Sequence, residues 1–162
     1  MENQGKQEDG SDSMNPEDSI DWSAIPGSKW YRPKNVRKAI AGIRRCDPTA
    51  PDILYQVANN HAGELYPAAV TAVPILLDIA LHFENHKAAM QALSVLDTLV
   101  WFRGELPFQT VVYEGIELPL DKAIRQQIKA SRTELAALAN RDQRLRKIVF
   151  GLLESIDQQE IE

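Results

Sequence analysis

The sequence has few of the features that mark secreted or membrane proteins. Its single cysteine, Cys46, cannot form an internal disulfide, so nothing points to an oxidising compartment. The longest apolar runs are too short and too interrupted to cross a bilayer. The first residues are polar and acidic, whereas a secretory signal peptide begins with basic residues and continues with an apolar stretch. We therefore expect a cytoplasmic protein that does not bind membranes.

Basic residues are scarce in the middle of the chain, and the net charge of −5 is unevenly distributed. Residues 1–28 carry seven acidic residues and one lysine, a net charge of −6. Residues 29–61 carry +5, residues 62–121 carry −6 and residues 122–162 carry +2. Binding of nucleic acid needs clustered lysine and arginine, so the acidic middle argues against a nucleic-acid groove there. A protein partner with a basic surface fits this charge better.

Two segments precede the helical part of the chain. Residues 1–19 combine low hydrophobicity with high charge, which predicts a disordered acidic tail. The next stretch is rich in apolar residues without a helical period, and we expect it to pack as a strap over the first helices. Its large apolar residues are Ile20, Trp22, Ile25 and Trp30. The rest of the length suits one domain with a sizeable core, so we assign residues 20–162 to a single domain.

From Pro33 onward, apolar residues recur with the period of amphipathic helices. Six helices are predicted, at about residues 33–45, 51–60, 67–83, 86–102, 119–139 and 142–156. Asn85 and Asn140 are the expected N-caps of the fourth and sixth helices, and Pro74 is expected to kink the third. The helices form three consecutive pairs, which start at intervals of about 34 and about 52 residues. This spacing suits a helical repeat with one insertion.

The insertion, residues 103–118, does not follow a helical period. It has β-branched and aromatic residues on both sides of Glu114 and Gly115, a pattern typical of a β-hairpin. The segment is either a short hairpin or a long ordered loop, and loops of that length are often functional.

Two stretches of the sequence resemble bacterial HEAT-like repeat proteins. In HAGELYPAAVTAVPILLDIA, a His-x-Gly-x-x-Tyr turn precedes an alanine-rich helix that contains Ala-Val-Pro and then leucines. NRDQRLRKIVFGLLESI is similar to the second helix of a HEAT repeat, where Asp142, Arg144 and Arg146 approximate the usual acidic turn and helix-start arginine. The resemblance covers about residues 20–157. It implies an all-α fold, an α-solenoid of about three HEAT-like helix pairs.

Many of the proteins that this sequence resembles are immunity proteins encoded beside polymorphic toxins, and others have no known role. The resemblance therefore implies a protein-binding inhibitor that neutralises a cognate bacterial toxin by direct binding. A general HEAT-like scaffold or adaptor without a toxin partner is the alternative, because a fold alone does not fix function. An enzyme ranks third, since HEAT-like DNA-repair glycosylases present basic grooves whereas residues 62–121 are acidic.

The segment NNHAGELYPAAV places a histidine, a glutamate and a tyrosine close together, so it is either a small catalytic site or the junction of two helices. We favour the junction, in which Gly63 lets the backbone turn, Tyr66 wedges between the helices and Pro67 starts the second one. His61 is expected to donate to a free helix-end carbonyl, and Glu64 to lie near the positive start of the next helix. A general base and a residue that orients it are not evident together, so we expect no catalytic residue.

Two other groups of residues raise the question of chemistry. His82 and His86 have the i, i+4 spacing that can hold a metal on one helix. However, Asn85 is expected to break the helix between them, and no third ligand is near in sequence. Cys46 follows two arginines, which favour a thiolate, but no partner histidine is identifiable. We therefore expect no metal, no cofactor and no enzymatic activity.

Trp101 occurs on a polar face of the fourth predicted helix, which is unusual for a tryptophan. That face comprises Lys87, Gln91, Ser94, Thr98 and Trp101. Either the fifth helix or the insertion covers the ring, or the ring is an exposed anchor at a protein interface, where tryptophan and tyrosine are enriched. In the second case the partner contacts the third helix, the fourth helix and the insertion. The predicted partner-binding residues are Asp78, His82, Asp97, Trp101, Glu105, Tyr113, Glu114 and Glu117.

Overall fold

Helices make up most of the chain. The computed structural model describes residues 15–48, 52–104 and 108–161, and within these ranges it has seven α-helices and two small sheets. The helices are α1 (Pro33–Arg44), α2 (Ile53–Val57), α3 (Ala68–His82), α4 (His86–Leu99), α5 (Leu120–Ala130), α6 (Arg132–Arg141) and α7 (Arg146–Ile161). The strands are β1 (Ala58–Asn59), β2 (Glu64–Leu65), β3 (Arg103–Gly104), β4 (Thr110–Tyr113) and β5 (Ile116–Pro119). The predicted helical fold is confirmed in its main feature, with short strands added to it.

The core lies around α3 and α4. These two helices pack on each other, α5 packs on α3, and α7 packs on α4. Two further pairs, α1 with α2 and α6 with α7, pack at the sides. The largest fully buried aliphatic side chains include Ile40, Leu76, Ile79, Leu93 and Leu96. None of the helices in the described ranges has both the length and the apolar character that crossing a membrane requires.

Local sequence signals set the start of two helices. Pro33 occupies the first turn of α1, where its missing N–H costs no hydrogen bond, as predicted. Asn85 caps α4, because its side-chain oxygen accepts hydrogen bonds from the backbone N–H groups of Lys87 and Ala88. The predicted N-cap at Asn85 is therefore confirmed.

The last two predicted helices have other ends than expected. The predicted helix at residues 119–139 is two helices, because the helix is interrupted at Ser131. The interruption lets α5 pack on α3 while α6 packs on α7. Asn140 is not an N-cap, since α6 runs through it. The carboxylate of Asp142 instead accepts from the N–H of Arg144, at the start of a short 3-10 turn that leads into α7.

The junction between α2 and α3 is a turn between two short strands. α2 ends at Val57, earlier than predicted, because the next residues form β1 and pair with β2. Gly63 supplies the positive φ of 68° that the turn requires, and its N–H donates to the carbonyl of Asn59. Tyr66 is buried and meets Tyr31 edge-on, with the ring centroids 6.0 Å apart. These contacts confirm that the segment joins two helices.

The insertion at residues 103–118 contains a β-hairpin, which decides between the two alternatives left open by the sequence. β4 and β5 pair in antiparallel register. Glu114 and Gly115 form the turn, and both have positive φ angles, of 50° and 80°, as a two-residue type I′ turn requires.

The N-terminal strap packs through one of its two tryptophans. Trp22 is 4% exposed, whereas Trp30 is 54% exposed, so our expectation that Trp30 packs onto the body is wrong. Tyr31 takes the buried place instead, and its hydroxyl donates to the carbonyl of Trp22 at 2.6 Å. Because Tyr31 turns inward, its neighbour Trp30 remains at the surface.

The folded body begins before the predicted boundary at residue 19. Pro16–Asp18 forms a short 3-10 helix, and within it Glu17 is buried. The indole N–H of Trp22 donates to the carbonyl of Glu17 at 3.0 Å, which ties the segment to the strap. The boundary that we drew at residue 19 therefore lies too far along the chain, and the rest of the predicted tail, residues 1–14, lies outside the described ranges.

Candidate partner-binding groove

An open groove lies between α3 and the β4–β5 hairpin, beside the junction of α5 and α6. Its volume is about 320 Å³, and we call it the hairpin groove. Its walls are formed by Pro74, Leu77, Asp78, Leu81, His82, Tyr113, Gln127, Ser131 and Glu134. The groove thus brings together three predicted partner-binding residues, namely Asp78, His82 and Tyr113.

Two carboxylates flank one imidazole in the hairpin groove. His82 Nδ1 lies 3.0 Å from the Oδ1 of Asp78, one helical turn earlier on α3. His82 Nε2 lies 3.6 Å from the Oε2 of Glu134, on α6, a separation longer than that of a hydrogen bond. All three side chains are more than half exposed. The carboxylates therefore lie on either side of the ring and remain accessible to a partner.

A buried glutamine lies in the wall of the groove, and its orientation follows from a proline. Pro74 has no N–H, so the carbonyl of Val70, four residues earlier, loses its helical donor. The Nε2 of Gln127 donates to that carbonyl at 3.1 Å. This bond fixes which way the amide points. Its Oε1 is buried and has no hydrogen-bond partner among the residues that the structure describes.

The hairpin adds an apolar pair of residues on the side of the groove. Tyr113 and Ile116 are opposite each other in the ladder and therefore share one face. Tyr113 packs partly against the core and lines the groove, while Ile116 is 61% exposed. Burial, and to a smaller extent the charge of Glu114, raises the pKa of the Tyr113 phenol, so this ring is neutral at physiological pH.

The walls of the hairpin groove include acidic side chains and, among the described residues, no lysine or arginine. Two arginines outside the walls, Arg44 and Arg141, interact with residues of the groove. Arg44 has a raised pKa, mainly because of its hydrogen bond to Glu17, and Asp78 contributes less to that shift. Arg141 donates to the carbonyl of Leu81 at 3.4 Å. Arg44 is paired with the buried carboxylate of Glu17, while the groove walls carry Asp78 and Glu134.

Asp97, on α4, and Trp101, just after that helix, are predicted partner-binding residues that do not line the groove. Asp97 faces α7, where it accepts a hydrogen bond of 3.4 Å from the Oγ of Ser155. Burial raises the pKa of Asp97, and the hydrogen bond from Ser155 opposes that shift. Trp101 follows the end of α4 and is half exposed, which favours the exposed alternative over the covered one.

The predicted acids of the insertion have different positions. Glu114 is exposed in the hairpin turn. Glu117 is exposed on the other face of the hairpin, where it accepts a hydrogen bond of 2.8 Å from the Oγ1 of Thr110. Glu105 lies outside the described residues. Of the insertion's described acids, Glu114 is therefore the neighbour of Tyr113, a residue of the groove wall.

The two histidines that raised the question of a metal site are on different helices. His82 ends α3 and His86 begins α4, which confirms the helix break expected at Asn85. Both line a second cavity of about 630 Å³, in which Arg144 is paired with Asp142. Within the described ranges, no group of three or more histidine, cysteine, aspartate or glutamate side chains could hold a metal ion.

His61 and Cys46, the remaining candidates for chemistry in the sequence, both pack against neighbouring residues. The ring of His61 lies against that of Tyr55, with the centroids 5.8 Å apart, and its expected hydrogen bond to a helix-end carbonyl is not found in the described part of the chain. Cys46 ends the turn after α1 with a positive φ of 59° and packs partly against the core.

Sequence reasoning missed Glu134 and Gln127. Glu134 belongs to the groove because α6 lies beside α3, which depends on the helix break at Ser131. A signal for Gln127 was present, since Pro74 predicts that the carbonyl of Val70 needs a donor from elsewhere. The donor is 57 residues further along the chain, and nothing in the sequence identifies it.

Comparisons with known proteins give no family for this chain. No family model, no curated protein and no solved structure matches it. The resemblance to HEAT-like repeat proteins therefore stays a prediction, and the function has to be argued from the groove.

Proposed function

We propose that this chain is a protein-binding inhibitor, an immunity protein that neutralises a cognate bacterial toxin by direct binding and performs no chemistry. The observation that carries the proposal is the hairpin groove, where accessible carboxylates lie beside exposed apolar surface. The proposal places the protein in the cytoplasm, where a toxin that attacks nucleic acid acts.

The groove has the features of a protein interface more than those of a small-molecule site. Small-molecule sites enclose most of their ligand, whereas Asp78, His82 and Glu134 are all more than half exposed. Protein interfaces combine an aromatic anchor with apolar neighbours and a polar rim. Tyr113 supplies the aromatic ring, and Ile116 supplies exposed apolar surface on the same hairpin face.

The charge of the surface supports a basic partner. Asp78 and Glu134 are in the groove, and Glu114 lies at the hairpin turn beside it. A toxin that acts on nucleic acid presents a basic cleft to its substrate, because phosphates bind to clustered lysine and arginine. Acids at the rim of an interface mainly raise the association rate and make it depend on salt.

We also propose that the helices form a short α-solenoid of HEAT-like repeats. The pairs would be α1 with α2, α3 with α4, and α6 with α7, and the hairpin with α5 would be the insertion between the second and third pairs. Support comes from the packing of consecutive helices, from the central place of α3 and α4, and from the resemblance of the stretches HAGELYPAAVTAVPILLDIA and NRDQRLRKIVFGLLESI.

A scaffold without a toxin partner would use the same surface, and one experiment separates the two functions. The product of the neighbouring gene is expressed in bacteria, alone and together with this chain, and growth is followed. We expect the neighbouring product to arrest growth and the wild-type chain to relieve the arrest. The Tyr113→Ala variant should relieve it less, and Trp101→Ala reports whether the interface extends to the end of α4. If the two proteins do not bind each other and growth is unaffected, the inhibitor function is wrong and the scaffold takes its place.

A further inference from the structure

We infer that the partner inserts an arginine side chain into the hairpin groove, with its guanidinium between Asp78 and Glu134, where the imidazole of His82 lies in the free protein. The inference rests on the proposed function and names the group that the partner must present. It follows from three features of the groove, which are the unequal contacts of the imidazole, the apolar wall below it and the unpartnered oxygen of Gln127.

The imidazole satisfies the two carboxylates unequally. Its Nδ1 is within hydrogen-bond distance of Asp78, at 3.0 Å, whereas its Nε2 is 3.6 Å from Glu134. In this geometry the imidazole is within hydrogen-bond distance of only one of the two acids. A guanidinium carries five N–H donors in a planar fork and can donate to both acids at once. The ring is 62% exposed, so it can leave the space by rotating into solvent.

The surroundings of the two acids favour arginine over lysine. An ammonium is a compact, strongly hydrated charge, whereas a guanidinium is planar, weakly hydrated and able to stack on aromatic rings. The groove offers aliphatic surface from Leu77 and Leu81 for the stem of a long side chain and the neutral ring of Tyr113 beside it.

Gln127 is a second, independent indication of a missing donor. Its side chain lines the groove and is 8% exposed, and its Nε2 is engaged by the carbonyl of Val70. Its Oε1 has no hydrogen-bond partner in the described part of the chain. A buried acceptor without a partner lowers stability, and a guanidinium in the groove has further N–H donors besides those that the two acids take.

The test uses small probes of the partner's side chain and the full chain in low salt. Nuclear magnetic resonance titrations with N-acetyl-arginine amide and N-acetyl-lysine amide follow the ring signals of His82 and Tyr113. We expect saturable shifts of these signals, with the arginine probe binding at least about threefold more tightly than the lysine probe. Asp78→Asn and Glu134→Gln should each weaken the arginine probe by about threefold. Glu154→Gln, which removes an exposed acid on α7, is the matched control and should leave binding unchanged.

A His82→Ala variant gives the sharpest result. If the imidazole occupies the space of the guanidinium, its removal should leave arginine binding unchanged or strengthen it. A loss of binding in this variant would overturn the inference, because the ring would then be a contact. Equal affinity for the two probes, or equal weakening by Glu154→Gln, would also overturn it, since only general charge attraction would remain.

The outcome is separable from that of the proposed function, because the probes need no toxin. If the arginine probe binds as expected but the neighbouring product does not, the groove is an arginine site and the inhibitor function is wrong. If the neighbouring product is neutralised while the arginine probe shows no preference for the groove, the inhibitor function stands and the arginine inference is wrong.

Discussion

Glu17 and Arg44 form a two-pronged ion pair, although 27 positions separate them in the chain. The Nε of Arg44 donates to Oε2 at 2.8 Å and its Nη2 donates to Oε1 at 2.9 Å. Glu17 is 1% exposed, so the pair lies inside the body and joins the short 3-10 helix Pro16–Asp18 to the end of α1. The pair therefore holds Pro16–Asp18 against α1.

Glu17→Ala is expected to lower the free energy of unfolding by about 3 kcal/mol, because it leaves the guanidinium of Arg44 partly buried without its partner. Asp18→Ala is the matched control: its contact with Arg37 is solvent-accessible, at 3.5 Å, and should contribute less than about 1 kcal/mol. Urea unfolding measures both. Equal losses of unfolding free energy in the two variants would show that the buried ion pair stabilises the protein no more than the exposed one.

Truncation of the N-terminus tests the same boundary. Removal of residues 1–14 should leave the urea midpoint unchanged, because their only large apolar side chains are those of Met1 and Met14. Removal of residues 1–19 should destabilise the protein as much as Glu17→Ala does, or more. If both truncations melt like the full chain, the ion pair does not hold the body together.

The two tryptophans of the strap should differ in their effect on stability. Trp22→Ala should cost about 3–4 kcal/mol, because the indole is buried and donates to a backbone carbonyl. Trp30→Ala should cost less than about 0.5 kcal/mol, because that ring is mostly exposed. The comparison is made by urea unfolding, and a large loss for Trp30→Ala would place its ring in a contact that the structure does not have.

Tyr31→Phe should cost about 1 kcal/mol, because the carbonyl of Trp22 loses the hydroxyl donor of Tyr31 and keeps its other donor, the N–H of Ile25. Burial, followed by the charge of Asp21, raises the pKa of Tyr31 from 10.0 to about 12. A raised folded-state pKa means that the neutral phenol contributes stability below pH 10.0, which is lost as the pH rises towards about 12. The gap between wild type and Tyr31→Phe should therefore shrink above pH 10, and a constant gap in alkaline urea unfolding would contradict this account.

Asp97→Asn should raise the stability at pH 7 by less than about 1 kcal/mol. The amide oxygen can still accept from Ser155, while the charge that burial disfavours is gone. Because burial raises the folded-state pKa above 3.8, protonation stabilises the wild type in acid, and this contribution is lost as the pH rises through that pKa. The advantage of the variant should therefore vanish near pH 3. An advantage of Asp97→Asn that is as large at pH 3 as at pH 7 in urea unfolding would contradict this account.

Local chemistry made part of this fold predictable. Pro33 and Asn85 act on the residues next to them, so their helix starts could be predicted from a few neighbours. The hairpin turn at Glu114 likewise depends on the glycine that follows it. No comparable local signal marks Ser131. The helix is interrupted there because α5 and α6 pack on different helices.

The groove was only half predictable for the same reason. Asp78 and His82 are one helical turn apart, so their contact follows from the sequence. Glu134 reaches the same imidazole only once α6 is placed against α3.

The strap shows the same limit. Trp30 and Tyr31 are adjacent and both aromatic, and only the packed body determines which ring turns inward.

The central claim, that the hairpin groove binds the partner, is tested most directly by titration calorimetry with the product of the neighbouring gene. We predict that Tyr113→Ala lowers the affinity by roughly thirtyfold, the effect of losing about 2 kcal/mol at an interface anchor. The double variant Asp78→Asn, Glu134→Gln should lower it by about tenfold and reduce its salt dependence. Phe150→Ala and Glu154→Gln, an exposed aromatic and an exposed acid on α7, are the matched controls and should bind like the wild type. Unchanged affinity in all groove variants, with melting curves equal to that of the wild type, would contradict the account.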